Sequence, residues 1–277
     1  MNSILLNMLT SRRIQLDIYI CKHCNLKCRY CSRFCNIADK EFYEYSDLIR
    51  DLSILKKKNI NLSNLIITGG EPLLHPDLDK ILIAMKEMFP DNCIILHTNG
   101  KDFLRQANRL IPIMKNKIHL YLSEYRKTNI DYNAIHKLCN ENKIYCYDVW
   151  QHHLYQDEIH FVTQKLCIKK KSVYETLGNY LKRCDNTCIC LWKGKLYQCG
   201  KAAWVDILNK KYSTKFEITD KDVLDINDIQ STEQILKFVQ LPSPFCKYCF
   251  NQKQGKEDTT CWSNDKASKS DWILEEE

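Results

Sequence analysis

Three cysteines stand with gaps of three and then two residues in Cys24-Asn-Leu-Lys-Cys28-Arg-Tyr-Cys31. Thiolates at this spacing can wrap three corners of a [4Fe–4S] cubane and leave its fourth iron open. An open iron can chelate a small molecule through an amine and a carboxylate, which a site closed by four cysteines cannot do. Structural zinc sites, by contrast, usually close with four ligands. Cys21 and Cys35 flank the triad but do not fit the spacing, and both are expected to be small buried residues.

The chain holds 16 cysteines in 277 residues. The apolar run Ile4–Leu9 is short, and Arg12-Arg13 follows it, whereas a signal peptide places its positive charge first. A cytoplasmic location is therefore expected, where thiols stay reduced and cysteine clusters point to metal rather than to disulfides. No apolar run reaches the ~20 residues of a membrane span, so no membrane partner is expected. The formal charge is +7. Two [4Fe–4S]²⁺ cores on seven thiolates would bring it to about +4, too mild and too scattered to argue for nucleic acid.

Elements to position such a site are legible upstream of residue 163. Strand-like runs fall at Ile14–Ile20, Leu65–Thr68, Cys93–His97, Ile118–Leu122, Ile144–Trp150 and Glu158–Val162. Helical patterns lie between them at Ser46–Lys58, Pro76–Met88, Asp102–Lys115 and Asp131–Asn142, with Ser46 and Asp131 as expected N-caps. Repeated βα units imply an α/β fold with a parallel sheet and right-handed crossovers. Six strands predict a partial (β/α)6 barrel. The cysteine triad then directly follows the first strand, at the end where parallel barrels place their chemistry.

Past Cys167 the texture changes. A helical segment Ser172–Leu181 leads into Cys184, Cys188 and Cys190. A hairpin is expected at Lys193-Gly194-Lys195, ending at Cys199, and a helix near Ser231–Val239 stops before Cys246-Lys-Tyr-Cys249. From Lys253 the chain is polar and expected to be loosely held, with Trp262, Trp272, Ile273 and Leu274 able to dock back. The expected division is a core at 13–166, a small C-terminal cysteine-rich domain at 167–252 and a polar tail at 253–277.

The cysteine spacing resembles the signature of the radical S-adenosylmethionine (SAM) superfamily, and the resemblance runs over residues 13–163. Thr68-Gly69-Gly70-Glu71-Pro72, closing the second strand, is similar to the family's motif for the SAM amino group, and its glycines allow close backbone approach. His97-Thr98-Asn99-Gly100 is similar to the family's Thr-Asn-Gly turn. The resemblance implies SAM contacts at Tyr30, Gly69, Gly70, Glu71, Asn99, Ser123 and Arg126, with Arg126 suited to a carboxylate. Iron ligands are implied at Cys24, Cys28 and Cys31.

Gly194-x4-Cys199 with the distant Cys246-x2-Cys249 resembles the auxiliary-cluster domains called Twitch and SPASM. One auxiliary [4Fe–4S] cluster is implied, the second of two in the chain. Its ligands would be Cys199, Cys246 and Cys249 plus one of Cys188, Cys184 and Cys190, in that order of preference. A zinc ribbon built from the same cysteines is the non-catalytic alternative.

The resemblance further implies reductive cleavage of SAM to a 5′-deoxyadenosyl radical, supplied with electrons by a flavodoxin or ferredoxin, and hydrogen abstraction from a substrate C–H. Dehydrogenation of a sugar- or cyclitol-like metabolite ranks first, because the chain starts at its first strand with no peptide-binding domain before it. Peptide modification and sugar epimerisation or dehydration stay open. A base is sought among His97, Glu124, Asp148, Trp150 and the His152-His153 pair, without a choice between them.

Overall fold

Alternation of apolar side chains builds the centre of the molecule. The computed structural model describes residues 11–29, 31–115, 117–125, 128–148, 164–166, 189–251 and 267–274. Strand β1 spans Ile14–Cys21, helix α1 Tyr45–Lys57, β2 Leu62–Gly69, α2 Leu78–Met88, β3 Cys93–Thr98, α3 Phe103–Met114, β4 Ile118–Leu122, α4 Tyr132–Glu141 and β5 Cys146–Asp148. The strands lie in the order β5-β4-β3-β2-β1, all parallel. Consecutive strands stepping one way across a sheet by right-handed crossovers put every connecting helix on the same face.

That face is apolar. Leu16, Ile18, Leu65, Ile67, Ile94, Leu96, Ile118 and Leu120 are buried and share one core with Leu48 and Leu52 of α1, Ile81 and Met85 of α2, Leu110 of α3 and Ile135 of α4. The opposite face, apart from Ile66 and Ile95, is polar and aromatic. It carries Asp17 and Tyr19 on β1, Thr68 on β2, His97 on β3, His119 and Tyr121 on β4, and Tyr147 on β5, since alternate residues share a face. The sheet is an open, partial barrel with its chemistry-bearing groups on the inside.

Three further strands continue the same sheet beyond β1. A short β6 (Gln164–Leu166), which belongs to a separate two-stranded sheet, precedes them in the chain. Then β7 (Ile189–Trp192) pairs in parallel with β1, placing Cys190 opposite Asp17. The expected hairpin forms: Lys193 and Gly194 take φ 47° and 74°, the two-residue turn that matches strand twist, and lead into β8 (Lys195–Tyr197). Helix α5 (Gly200–Tyr212), β9 (Val223–Asp225), α6 (Thr232–Gln240) and β10 (Cys249–Asn251) follow, with β9 on β8 and β10 antiparallel to β6.

Element bounds agree with the periodicity within a few residues, but the cap of α1 does not. The helix starts at Tyr45 after Glu44, with no side-chain cap bond, and Ser46 lies inside it. The entry is set instead by Tyr43, whose N–H donates to the Ile20 carbonyl at 3.0 Å and whose hydroxyl bonds Asp51 on α1. Asp131 caps α4, accepting from the Ala134 N–H at 2.9 Å. Helix α5 went unread because it buries residues on several sides, has no capping side chain and kinks at Trp204. The strand expected at Glu158–Val162, the helix expected at Ser172–Leu181 and Trp262 lie outside the described residues. Trp272 and Ile273 do dock, at 3% and 5% exposure. No helix among the described residues is long and apolar enough to cross a membrane.

Truncating Leu96, fully buried in the helix-side core, to Ala should cost about 2–5 kcal/mol. Urea unfolding should show this as a lower midpoint at unchanged slope.

Candidate metal and cofactor site

The loop after β1 is held by direct backbone packing against the turn after β2. Gly70 N–H donates to the Cys21 carbonyl at 2.6 Å, and Glu71 N–H to the His23 carbonyl at 3.0 Å. A Cβ on Gly69 would stand 2.5 Å from the Cys21 carbonyl oxygen, and one on Gly70 2.0 Å from that of His23. Gly69 also takes φ +133°, which L-residues avoid. Only glycine fits at either position.

Glu71, buried to 1% exposure, ties this turn to the next. Its carboxylate accepts from the Thr98 hydroxyl at 2.6 Å, the Asn99 N–H at 2.9 Å and the Leu73 N–H at 3.0 Å. Burial pushes its pKa up to about 7, with those donors pulling the other way. Asn99 in turn donates to Asn25 Oδ1 at 2.8 Å and stands 3.6 Å from Cys24 Sγ. The turns after β1, β2 and β3 thus form one continuous network ending on a cysteine.

Cys24, Cys28 and Cys31 are part-buried free thiols on that loop. Burial raises the Cys24 pKa well above the usual thiol value, with Glu71, Cys31 and Cys28 adding charge repulsion. A hydrogen bond from the Cys35 thiol draws Cys31 down to about 6. The three thiols therefore lie within electrostatic reach of one another, as a shared cluster requires. Among the described residues, no three His, Cys, Asp or Glu side chains converge closely enough to hold a single metal ion.

Two residues missed in the sequence complete the site. Arg33, two positions past Cys31, donates to the Tyr19 hydroxyl at 3.0 Å, Thr68 Oγ1 at 3.1 Å and the Gly69 carbonyl at 3.2 Å, and pairs with Asp17 at 3.4 Å. It fastens the cysteine loop to the inner face of β1 and β2. Tyr125 lies after β4; burial raises its pKa, followed by the repulsion of Cys28, Cys24 and Cys31, which it neighbours together. An aromatic residue in a loop at a parallel-strand end was the one available signal for it. A cavity of about 580 Å³ opens between Cys28, Gly100, Lys101, Tyr125 and Asp131.

Ser123 is buried at the end of β4, and its hydroxyl lies 2.9 Å from His97 Nε2. Burial, aided by the Arg33 charge, pushes His97 down to about 3, so its ring is neutral and serves as a hydrogen-bonding group. Glu124 is engaged with His136. Tyr30, Arg126, Trp150, His152 and His153 lie outside the described residues.

The second cysteine group gathers beside the same sheet. Gly200 sits so close to Tyr19 that a Cβ would meet its hydroxyl at 2.4 Å, which sets Cys199 against the inner face of β1. Cys246 stands in the turn Pro244–Tyr248, its N–H bonded to the Ser243 carbonyl at 2.9 Å. Burial pushes Cys246 up to about 12 and Cys249 to about 11, and the Cys199 charge acts on both. Cys190 is fully buried, with Sγ 3.6 Å from the Tyr197 carbonyl oxygen. Cys184 and Cys188 lie outside the described residues.

Residues 18–151 match the model of the radical SAM superfamily. This stretch is a radical SAM domain. GTP 3′,8-cyclase of a Sulfurovum species is 28% identical over 114 residues, covering 40% of this chain but only 34% of that protein. Among solved structures, BtrN in complex with AdoMet and 2-DOIA is similar at a TM-score of 0.49 and 16% identity, over 95% of this chain and 98% of that one. AdoMet-bound anSMEcpe is similar at a TM-score of 0.48 and 13% identity, over 84% and 81%.

Gly70→Ala should destabilise the radical SAM domain by about 1–3 kcal/mol, because the loop must move off the turn; a melting scan reads it. His97 supplies a pH dependence. Its folded pKa lies below the unfolded value, so the unfolded chain binds the extra proton and stability falls as pH drops below about 6.5. His97→Gln should lose less over that window, by at most about 1.4 kcal/mol for each pH unit; equal slopes would contradict a buried neutral ring.

Proposed function

We propose that Cys24, Cys28 and Cys31 hold a [4Fe–4S] cluster with an open iron, that SAM occupies the cavity beside Cys28, and that the chain abstracts hydrogen from a bound substrate. The observation that carries this is the convergence of the three-cysteine loop, the Gly69-Gly70 turn and Asn99 into one network at the strand ends of a radical SAM domain. Such a cluster, when bound, supplies the electron that splits SAM into methionine and a 5′-deoxyadenosyl radical.

The chain's own residues do the positioning. The Gly69-Gly70 turn and Asn99 would receive the amino acid end of SAM, a reading supported by their common network with the cysteine loop. The cavity, about 580 Å³, is within the usual size of a cofactor site, and Tyr125 borders it. Tyr30 and Arg126 are proposed as further SAM contacts on sequence grounds.

Facing the site, Tyr121 and Tyr147 pack 5.2 Å apart and His97 lies edge-on to Tyr121 at 6.5 Å. Aromatic faces beside neutral hydrogen-bonding groups suit a hydroxylated ring, which supports dehydrogenation of a sugar- or cyclitol-like metabolite. Cys199, Cys246 and Cys249, with Cys188 as fourth ligand, would hold an auxiliary [4Fe–4S] cluster that takes the substrate's second electron. Lys221, Lys237 and Lys247 border a cavity beside Cys246, a basic surface fitted to an acidic electron carrier such as a flavodoxin or ferredoxin.

Anoxic reconstitution tests the reading. The wild type should bind about eight irons per chain and, with dithionite, release 5′-deoxyadenosine from SAM. Cys28→Ala should abolish that release, whereas Cys246→Ala should lower iron by about half and retain some cleavage. Equal loss in both variants would break the assignment of two separate sites. Zinc uptake without colour would replace the enzyme with a zinc module.

A further inference from the structure

The segment Ser268–Leu274 reaches the cysteine loop at two points. Asp271 is 1% exposed at its side chain and takes a forked ion pair from Arg29, which stands between Cys28 and Cys31. Arg29 Nη2 donates to Oδ1 at 2.7 Å, while Nε lies 3.2 and 3.3 Å from the two carboxylate oxygens. The Asp271 carboxylate is itself pinned, accepting from the Ser268 N–H at 2.9 Å. One residue on, Trp272 Nε1 donates to the Cys31 carbonyl at 2.9 Å, and its ring meets Phe34 edge-on at 6.0 Å. The Trp272 carbonyl accepts from the Leu166 N–H at 2.7 Å, and Leu166 on β6 is the register partner of Cys249 on β10.

We propose that Asp271 and Trp272 are positioning residues for the cluster loop, setting Cys28 and Cys31 in place and linking them through Leu166 to the strand that begins at Cys249. The proposal rests on the reading of Cys24, Cys28 and Cys31 as cluster ligands. The forked bonds to this buried carboxylate fix the guanidinium in one orientation, so the position of Arg29 is coupled to that of Asp271. The Trp272 donor is equally committed, because it ties the Cys31 carbonyl to a ring buried to 3% exposure. The pair has an electrostatic consequence as well. Arg29 is a fixed cation on the cluster loop, and Asp271 cancels its field. Unmasking that cation favours the more negative, reduced form of a neighbouring cluster.

The test uses the full chain, reconstituted without oxygen. Trp272→Phe keeps the ring and removes the donor; iron should pass to a chelator about fivefold faster than from the wild type. Asp271→Asn should also release iron faster, and EPR-monitored titration should show the first cluster's midpoint potential shifted upward. Asp271→Glu, which keeps the charge, should return the potential to the wild-type value. The same measurements in a Cys246→Ala background assign the effect to the first cluster. Should either variant fail to fold, Arg29→Lys, altered at a part-exposed side chain, removes the fork but keeps the charge, and should release iron faster with the midpoint potential unchanged. Release rates and potentials equal to wild type would overturn the proposal. A wild-type chain that takes up no cluster at the three cysteines would instead overturn the functional reading beneath it.

Discussion

Two backbones in contact organise this protein. The stretch from Cys21 to His23 and the turn from Gly69 to Glu71 lie so close that neither glycine has room for a side chain. The register of β1 on β2 shifts between Tyr19 and Cys21, and backbone hydrogen bonds from Gly70 to Cys21 and from Glu71 to His23 close the contact beyond it. That contact sets where the cysteine loop leaves the sheet, and Cys24, Cys28 and Cys31 follow from it.

A buried carboxylate extends the constraint sideways. Glu71 spends its two oxygens on the turn after β3 and on its own short helix, so its role is to lock strand ends together. Arg33 performs the corresponding task on the inner face, reaching Tyr19, Thr68 and Gly69 from within the cysteine loop. Between them, a loop with little regular structure gains a single placement. Ordering ligands in advance lowers the conformational cost of capturing a cluster and a cofactor.

The described C-terminal strands join this framework through the pairing of β7 with β1. Strand β7 lies directly on β1, and Tyr19 packs on Trp204 of α5 at 4.7 Å. Cys190, Cys199 and the polar face of the barrel thereby share one interior.

Much of this was legible in the chain itself. Hydrophobic alternation marked β1 to β4 and the helices between them, because burial on one face imposes period two on strands and 3.6 on helices. The cysteine triad and the Gly-Gly turn were legible because ligand spacing and glycine's freedom are local properties. Arg33, Tyr125 and Asp271 were not, and Trp272 was legible only as a residue able to dock, since each acts across the fold: Arg29 and Asp271 are 242 positions apart. Helix α5 escaped for a related reason, being buried from several directions rather than along one stripe. Local chemistry thus determined which cysteines are spaced as candidate ligands and which segments are strands and helices. Tertiary packing decided which distant groups hold that chemistry still, because long-range contacts leave no periodic trace in sequence.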